Sequence, residues 1–175
     1  MMLECGCPST WPDWHEQDVD LSGHCIHRVR VPMLLHMPIG YDAQRRSQQG
    51  NIDNLGLKEK WPGLALVRTG MFRGDLIRLL EHTQSPSHLV GWLPRPYQVY
   101  AWLPQGNLHS LRPALRDIQS RLLDAGKMPR ELLIGHLTCT RCAEARGGEK
   151  ILLLRHWRES RTLAKRRQPG AAQNP

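Results

Sequence analysis

The chain has 175 residues, room for one ordinary domain and not for two large ones. Its 40% apolar content is enough for a core. No run approaches the roughly 18 consecutive apolar residues of a membrane span. The formal net charge is +8, but residues 1–27 hold five acids and no Lys or Arg, so that segment carries −5 and the rest +13. This asymmetry predicts an acidic leader lying against a basic body. The basic excess permits polyanion contact, although a solvated Arg-rich surface explains it equally well.

The first residues lack the basic region and apolar stretch of a signal peptide, which makes a cytoplasmic protein the expectation. Thiols stay reduced there. Five cysteines then point to metal, redox chemistry or packing rather than to structural disulfides.

Residues 1–28 read as an irregular arm. Pro8, Pro12, Gly6 and Gly23 break any helix, yet Trp11 and Trp14 argue for an arm packed on the body rather than a loose tail. A single domain is expected over 29–158. Within it, 29–41 reads as an edge strand, because Pro32 and Pro38 interrupt it. The polar stretch 42–60, with Arg45 and Arg46, reads as a long loop. A strand is expected over 64–72. Asp75 is the expected N-cap of a short helix buried through Leu76, Ile77, Leu79 and Leu80. Two aromatic-rich strands follow, 88–93 and 97–103.

Leu111, Leu115, Ile118 and Leu122 form one stripe at helical period, with Asn107 as the expected cap and Gly126 as the stop. Strands at 132–137 and 151–154 come next. A basic disordered tail is expected over 159–175. From residue 64 the order matches a ferredoxin-like split β-α-β core: an α+β fold with an antiparallel sheet and two helices on one face. The arm and an extra C-terminal strand complete it. No internal repeat is visible.

The chemistry centres on Cys139-Thr140-Arg141-Cys142, which lies between two apolar runs and ahead of Gly147-Gly148. Strand, Cys-x-x-Cys, Gly-rich turn, strand is a zinc-knuckle layout, with two thiolates facing one point. Cys5-Gly6-Cys7 at the far end is shorter but turned tightly by Gly6 and Pro8. Structural zinc takes four tetrahedral ligands, usually as two close pairs. The expectation is therefore one metal ion, zinc with iron as the alternative, shared by Cys5, Cys7, Cys139 and Cys142.

A second grouping is His24-Cys25-Ile26-His27. Cys25 and His27 would share one face of an extended chain, with His24 pointing away. These residues are candidates for a second metal or for alternative ligands, and surface loop residues are the plain explanation. Basic side chains around an indole form a third grouping. Arg155, Trp157, Arg158, Arg161, Lys165, Arg166 and Arg167 could track a phosphate backbone.

Phosphate-loop, dinucleotide, nucleophile-elbow and His-Glu-x-x-His signatures are absent from the sequence. The reading is a small zinc-binding module for nucleic acid or a protein partner, with no membrane role. Two alternatives differ in class. One is a metal-dependent enzyme using the acidic, His-rich segment 13–27. The other is a thiol redox protein using Cys139 and Cys142.

Overall fold

A computed structural model describes residues 2–104 and 111–166. Nine strands form one sheet: β1 (Gln17–Asp20), β2 (Cys25–Leu34), β3 (Met37–Pro38), β4 (Ala65–Arg68), β5 (Arg73–Leu79), β6 (Val90–Trp92), β7 (Gln98–Trp102), β8 (Lys127–His136) and β9 (Ile151–Glu159). The helices are α1 (Tyr41–Asn54), α2 (Leu111–Asp124), α3 (Thr140–Ala143) and α4 (Arg161–Arg166). The strand order is β1-β7-β9-β8-β4-β5-β2-β3, with β6 also on β2, and every described pairing is antiparallel.

Two similar halves meet at the β4–β8 seam. From the seam the order runs β4, β5, β2 one way and β8, β9, β7 the other. Each half is built in chain order as strand, helix, strand, strand: β2-α1-β4-β5, then β7-α2-β8-β9. The α+β class and the antiparallel sheet are as expected, but the path is not the ferredoxin-like one. The short helix expected from Asp75 through Leu80 is instead β5, Arg73–Leu79. Asp75 is no N-cap but sits in the ladder opposite Arg68 and Arg30. The expected loop at 42–60 is mostly α1. The expected edge strand is β2, which pairs with β5 on one side and with β3 and β6 on the other. β2 begins at Cys25, so it runs across residue 28. The arm itself contributes β1 at the sheet edge.

Both helices lie on one face. Val67 and Ile134 stand opposite each other across the seam, so their side chains share a face. Val67 packs in a cluster with Tyr41 of α1. Ile134 packs against Ala114, Ile118 and Leu122 of α2. Of the expected α2 stripe, Ile118 and Leu122 are buried and Leu111 and Leu115 half-buried, with Ala114 buried beside them. Pro113 is tolerated there because the first helical turn needs no amide donor. The expected cap, Asn107, lies outside the described residues.

The other face carries the largest core cluster, including Ile26, Leu66, Ile77, Val99, Leu133, Leu152 and Leu154, with Trp11, Trp14 and Trp61 packed against it. Among the described residues, no helix is long and apolar enough to cross a membrane.

Candidate metal centre

The two ends of the chain meet in space. The Sγ atoms of Cys5, Cys7, Cys139 and Cys142 all lie within 4.8 Å of one another. Cys139 and Cys142 are 3.9 Å apart, far beyond the roughly 2.05 Å of a disulfide. A tetrahedral ion with metal–sulfur bonds of about 2.3 Å sets its sulfurs about 3.8 Å apart. The four thiols fit that set and could hold a metal ion.

Local backbone explains the convergence. Cys139 is extended at the N-cap of α3, and the amides of Cys142 and Ala143 donate to its carbonyl at 3.0 and 2.9 Å. The helical turn brings Cys142 back over Cys139, whose own amide donates to the Cys142 sulfur at 3.3 Å. In the arm, the Gly6 amide donates to Leu3 O and the Leu3 amide to Cys7 O. Gly6 sits at φ 82°, a left-handed conformation that glycine adopts without strain. That turn aims Cys5 and Cys7 at the same point.

The thiols polarise one another even without an ion. Burial pushes Cys7 up to about 12, helped by hydrogen bonds with Cys139, Cys5 and Cys142. Burial also works against the Cys139 thiolate. The backbone amides of Cys142 and Arg141, together with neighbouring thiols, outweigh it and hold Cys139 down to about 6. One thiolate is thus ready, and a cation would be needed to ionise Cys7.

A cavity of about 570 Å³ adjoins the cluster, with Arg45, Arg46, Arg78 and Arg141 in its lining. Arg45 is a clamp that sequence reasoning placed in a loop. Its guanidinium donates to the carbonyls of Cys5 (2.9 Å) and Gly6 (3.1 Å). Arg146 does the same for Pro8 (2.7 Å) and Ser9 (2.8 Å) while lying 4.5 Å over the Trp11 ring.

The other candidate ligands do not assemble. Among the described residues, the four cysteines are the one group of three or more donors close enough to share an ion. The His24 Nε2 lies 3.1 Å from Lys60 Nζ. Cys25 is buried, with its sulfur 3.9 Å from the Thr83 carbonyl. His27 is fully buried against Gln48, its Nδ1 3.2 Å from the amide nitrogen. The basic end is also partly engaged. The Trp157 indole N–H donates to Asp18 at 2.8 Å, and Lys127 lies 4.0 Å over its ring. Arg155 is half-buried, whereas Arg158 and Arg161 are exposed. The side chains of Lys165 and Arg166, and all of Arg167, lie outside the described residues.

The helix-free face holds a feature that left no sequence signal. A cavity of about 100 Å³ lies between the halves, lined by Arg28, Trp92, Tyr97, Glu131, His156 and Arg158 among others. A shallower one of about 340 Å³ adjoins it, with Arg68 and Glu131 common to both linings and Arg30, Arg73 and Asp75 beyond. Tyr97 stacks on His156 at 4.2 Å and donates to Glu131 at 3.2 Å. Burial, then the Glu131 charge, pushes the Tyr97 phenol up. His156 is 3% exposed. Glu131 approaches its Nδ1 at 3.4 Å, yet neither ring nitrogen makes a hydrogen bond among the described residues. Burial holds its pKa down, against Glu131, so the ring is neutral near pH 7.

No family model matches the chain, and no curated protein is similar to it in sequence. Solved structures show the same fold. The EcmrR C-terminal domain superposes with a TM-score of 0.60 at 9% identity, over 82% of this chain and 97% of that one. The EcmrR chain in an EcmrR–DNA complex gives 0.57 at 8% identity, over 82% of this chain, which spans 57% of that one. SAV2435 bound to tetraphenylphosphonium gives 0.52 at 12% identity, over 81% and 93%.

Proposed function

We propose that the chain is a ligand-binding module whose N-terminal arm is fastened by a structural zinc ion on Cys5, Cys7, Cys139 and Cys142. The observation that carries the zinc reading is the convergence of four sulfurs from opposite ends of the sequence. An all-thiolate tetrahedral set suits zinc or iron. Four ligands leave no open position, so the ion would be structural rather than catalytic. Arg45, Arg46 and Arg141 around it would offset the charge of about −2 on a divalent ion with four thiolates. Elemental analysis should find about one zinc per chain. Cys5→Ser and Cys139→Ser should lose it equally. Retention of the metal in Cys5→Ser would reduce the site to one turn, and iron in its place would keep the cluster but change the ion.

Ligand binding rests on the cavities between the halves, where the Nε2 of the buried His156 has no hydrogen-bond partner among the described residues. SAV2435, of the same fold, carries a small organic ion. A second reading, nucleic-acid contact, draws on the +8 charge and on EcmrR in its DNA complex, though 43% of that chain has no counterpart here. Trp157 is not free to stack, so any contact through Arg158 and Arg161 would be to phosphates, indifferent to sequence and weakened by salt. Unchanged DNA mobility-shift titrations in an Arg158→Gln/Arg161→Gln double variant would remove that reading.

A further inference from the structure

We infer that the cavity on the helix-free face takes an aromatic anion, the opposite charge to the ion bound by SAV2435. This rests on the ligand-binding reading above and names the class of ligand.

The charge inventory favours an anion. Five guanidinium groups line the two adjoining cavities: Arg28, Arg30, Arg68, Arg73 and Arg158. Two carboxylates face them. Asp75 is taken by an ion pair with Arg68. Glu131 accepts the Tyr97 hydroxyl and lies 3.7 Å from the other nitrogen of Arg68. Arg28, Arg30, Arg73 and Arg158 have no carboxylate partner among the described residues. An organic cation here would sit among four uncompensated positive charges, whereas an anion would be drawn in by them.

The walls favour an aromatic body. Tyr97, His156 and Trp92 present ring surfaces, with Leu93 and Pro94 beside them. Trp92 is 53% exposed at the mouth. The sheet holds the site rigidly. Arg28, Arg68 and Ile77 come from one half and Glu131, His156 and Arg158 from the other, so both halves contribute to one floor.

Benzoate and benzamidinium have nearly the same shape and opposite charge, and one ring suits the size of this cavity, so the pair separates sign from fit. Calorimetric titration of the full chain at 150 mM salt screens diffuse surface charge beyond roughly 8 Å. Benzoate should bind one site at least tenfold more tightly than benzamidinium. Arg28→Gln/Arg158→Gln and Trp92→Ala should each weaken benzoate at least fivefold with an unchanged melting temperature. Equal or tighter benzamidinium binding would overturn the inference and leave the ligand-binding reading standing. Benzoate binding indifferent to both variants would place it elsewhere and overturn the inference as well. Binding of neither probe would sink the ligand-binding reading itself.

Discussion

A buried histidine makes a folded protein sensitive to acid in a direction fixed by sign. His24, His27, His136 and His156 all have pKa values lowered below the ordinary imidazole range, each chiefly by burial. At least a unit above pH 6.5 the ring is neutral in both folded and unfolded chains and pH has no effect through it. As pH falls through the unfolded value the unfolded state takes up protons that the folded state refuses, and stability is lost. The histidine contribution to melting temperature should therefore be flat above about pH 7.5 and fall below about 6.5. His156→Phe keeps a ring against Tyr97 and removes the titrating group, so its melting curve should fall less steeply with acid. An unchanged slope would mean that His156 does not contribute to it. Arg78 illustrates the complementary case. Its side chain is 1% exposed and pairs with Glu59 at 2.9 Å. Burial lowers Arg78 and raises Glu59, each against the pull of the other. The pair is there because each partner makes the other's burial tolerable, rather than as a source of stability.

α2, with one buried side, was legible in the sequence, whereas β5, with two, and α1, with almost none, were not. α2 repeats Ala114, Ile118 and Leu122 against the sheet with polar residues outward, and period alone found it. β5 buries both faces. Ile77 and Leu79 join the helix-free core while Leu76 joins the cluster under the helices, so alternation vanishes and a short apolar run passes for a helix. α1 fails in the opposite way, because it has almost no apolar stripe. Gln48 does the work of one, its amide nitrogen donating to the carbonyls of His27 (3.2 Å) and Leu76 (3.0 Å) while its oxygen accepts from Arg78 (3.2 Å). A glutamine chosen for hydrogen bonding leaves no hydropathy signal. Pro32 misled for a topological reason. Its carbonyl accepts from Ile39, on the side where β2 has no long neighbour, so its missing donor is harmless in an interior strand. The same differences hide the two-half architecture. One helix is seated through Gln48 and Ile52, the other through Ala114, Ile118 and Leu122, and no shared residue pattern results. The metal ligands were legible because thiolate chemistry restricts both residue type and spacing. The cavity lining was not, since five arginines from four strands have no common spacing.

At the scale of the whole molecule, charge and metal both bring the leader onto the body. Asp18 pairs with Lys127, Glu16 approaches Arg121 at 3.6 Å, and the expected acidic segment does lie on basic residues. These exposed pairs contribute little each. The stronger ties are the Arg45 and Arg146 clamps on the Cys5 to Ser9 carbonyls and the edge contact of Trp14 with Trp61, at 6.4 Å. Metal removal should therefore act locally. With a strong chelator under reducing conditions, hydrogen exchange should rise over residues 2–9 and 137–146. The β4–β8 seam and the buried side of α2 should stay protected, because their contacts do not pass through the cysteines. The lost tie should be worth a few kcal/mol rather than the roughly 10–16 kcal/mol seen where metal organises an entire small domain. For a chain of this size each kcal/mol moves the midpoint by about 2–4 °C. Arg146→Ala should enlarge the exchange change in the arm, since it removes one of the two clamps that remain when the ion leaves. Exchange rising throughout the sheet would make the ion a requirement of the whole fold, and exchange unaltered by the chelator would mean that the four thiols hold no metal.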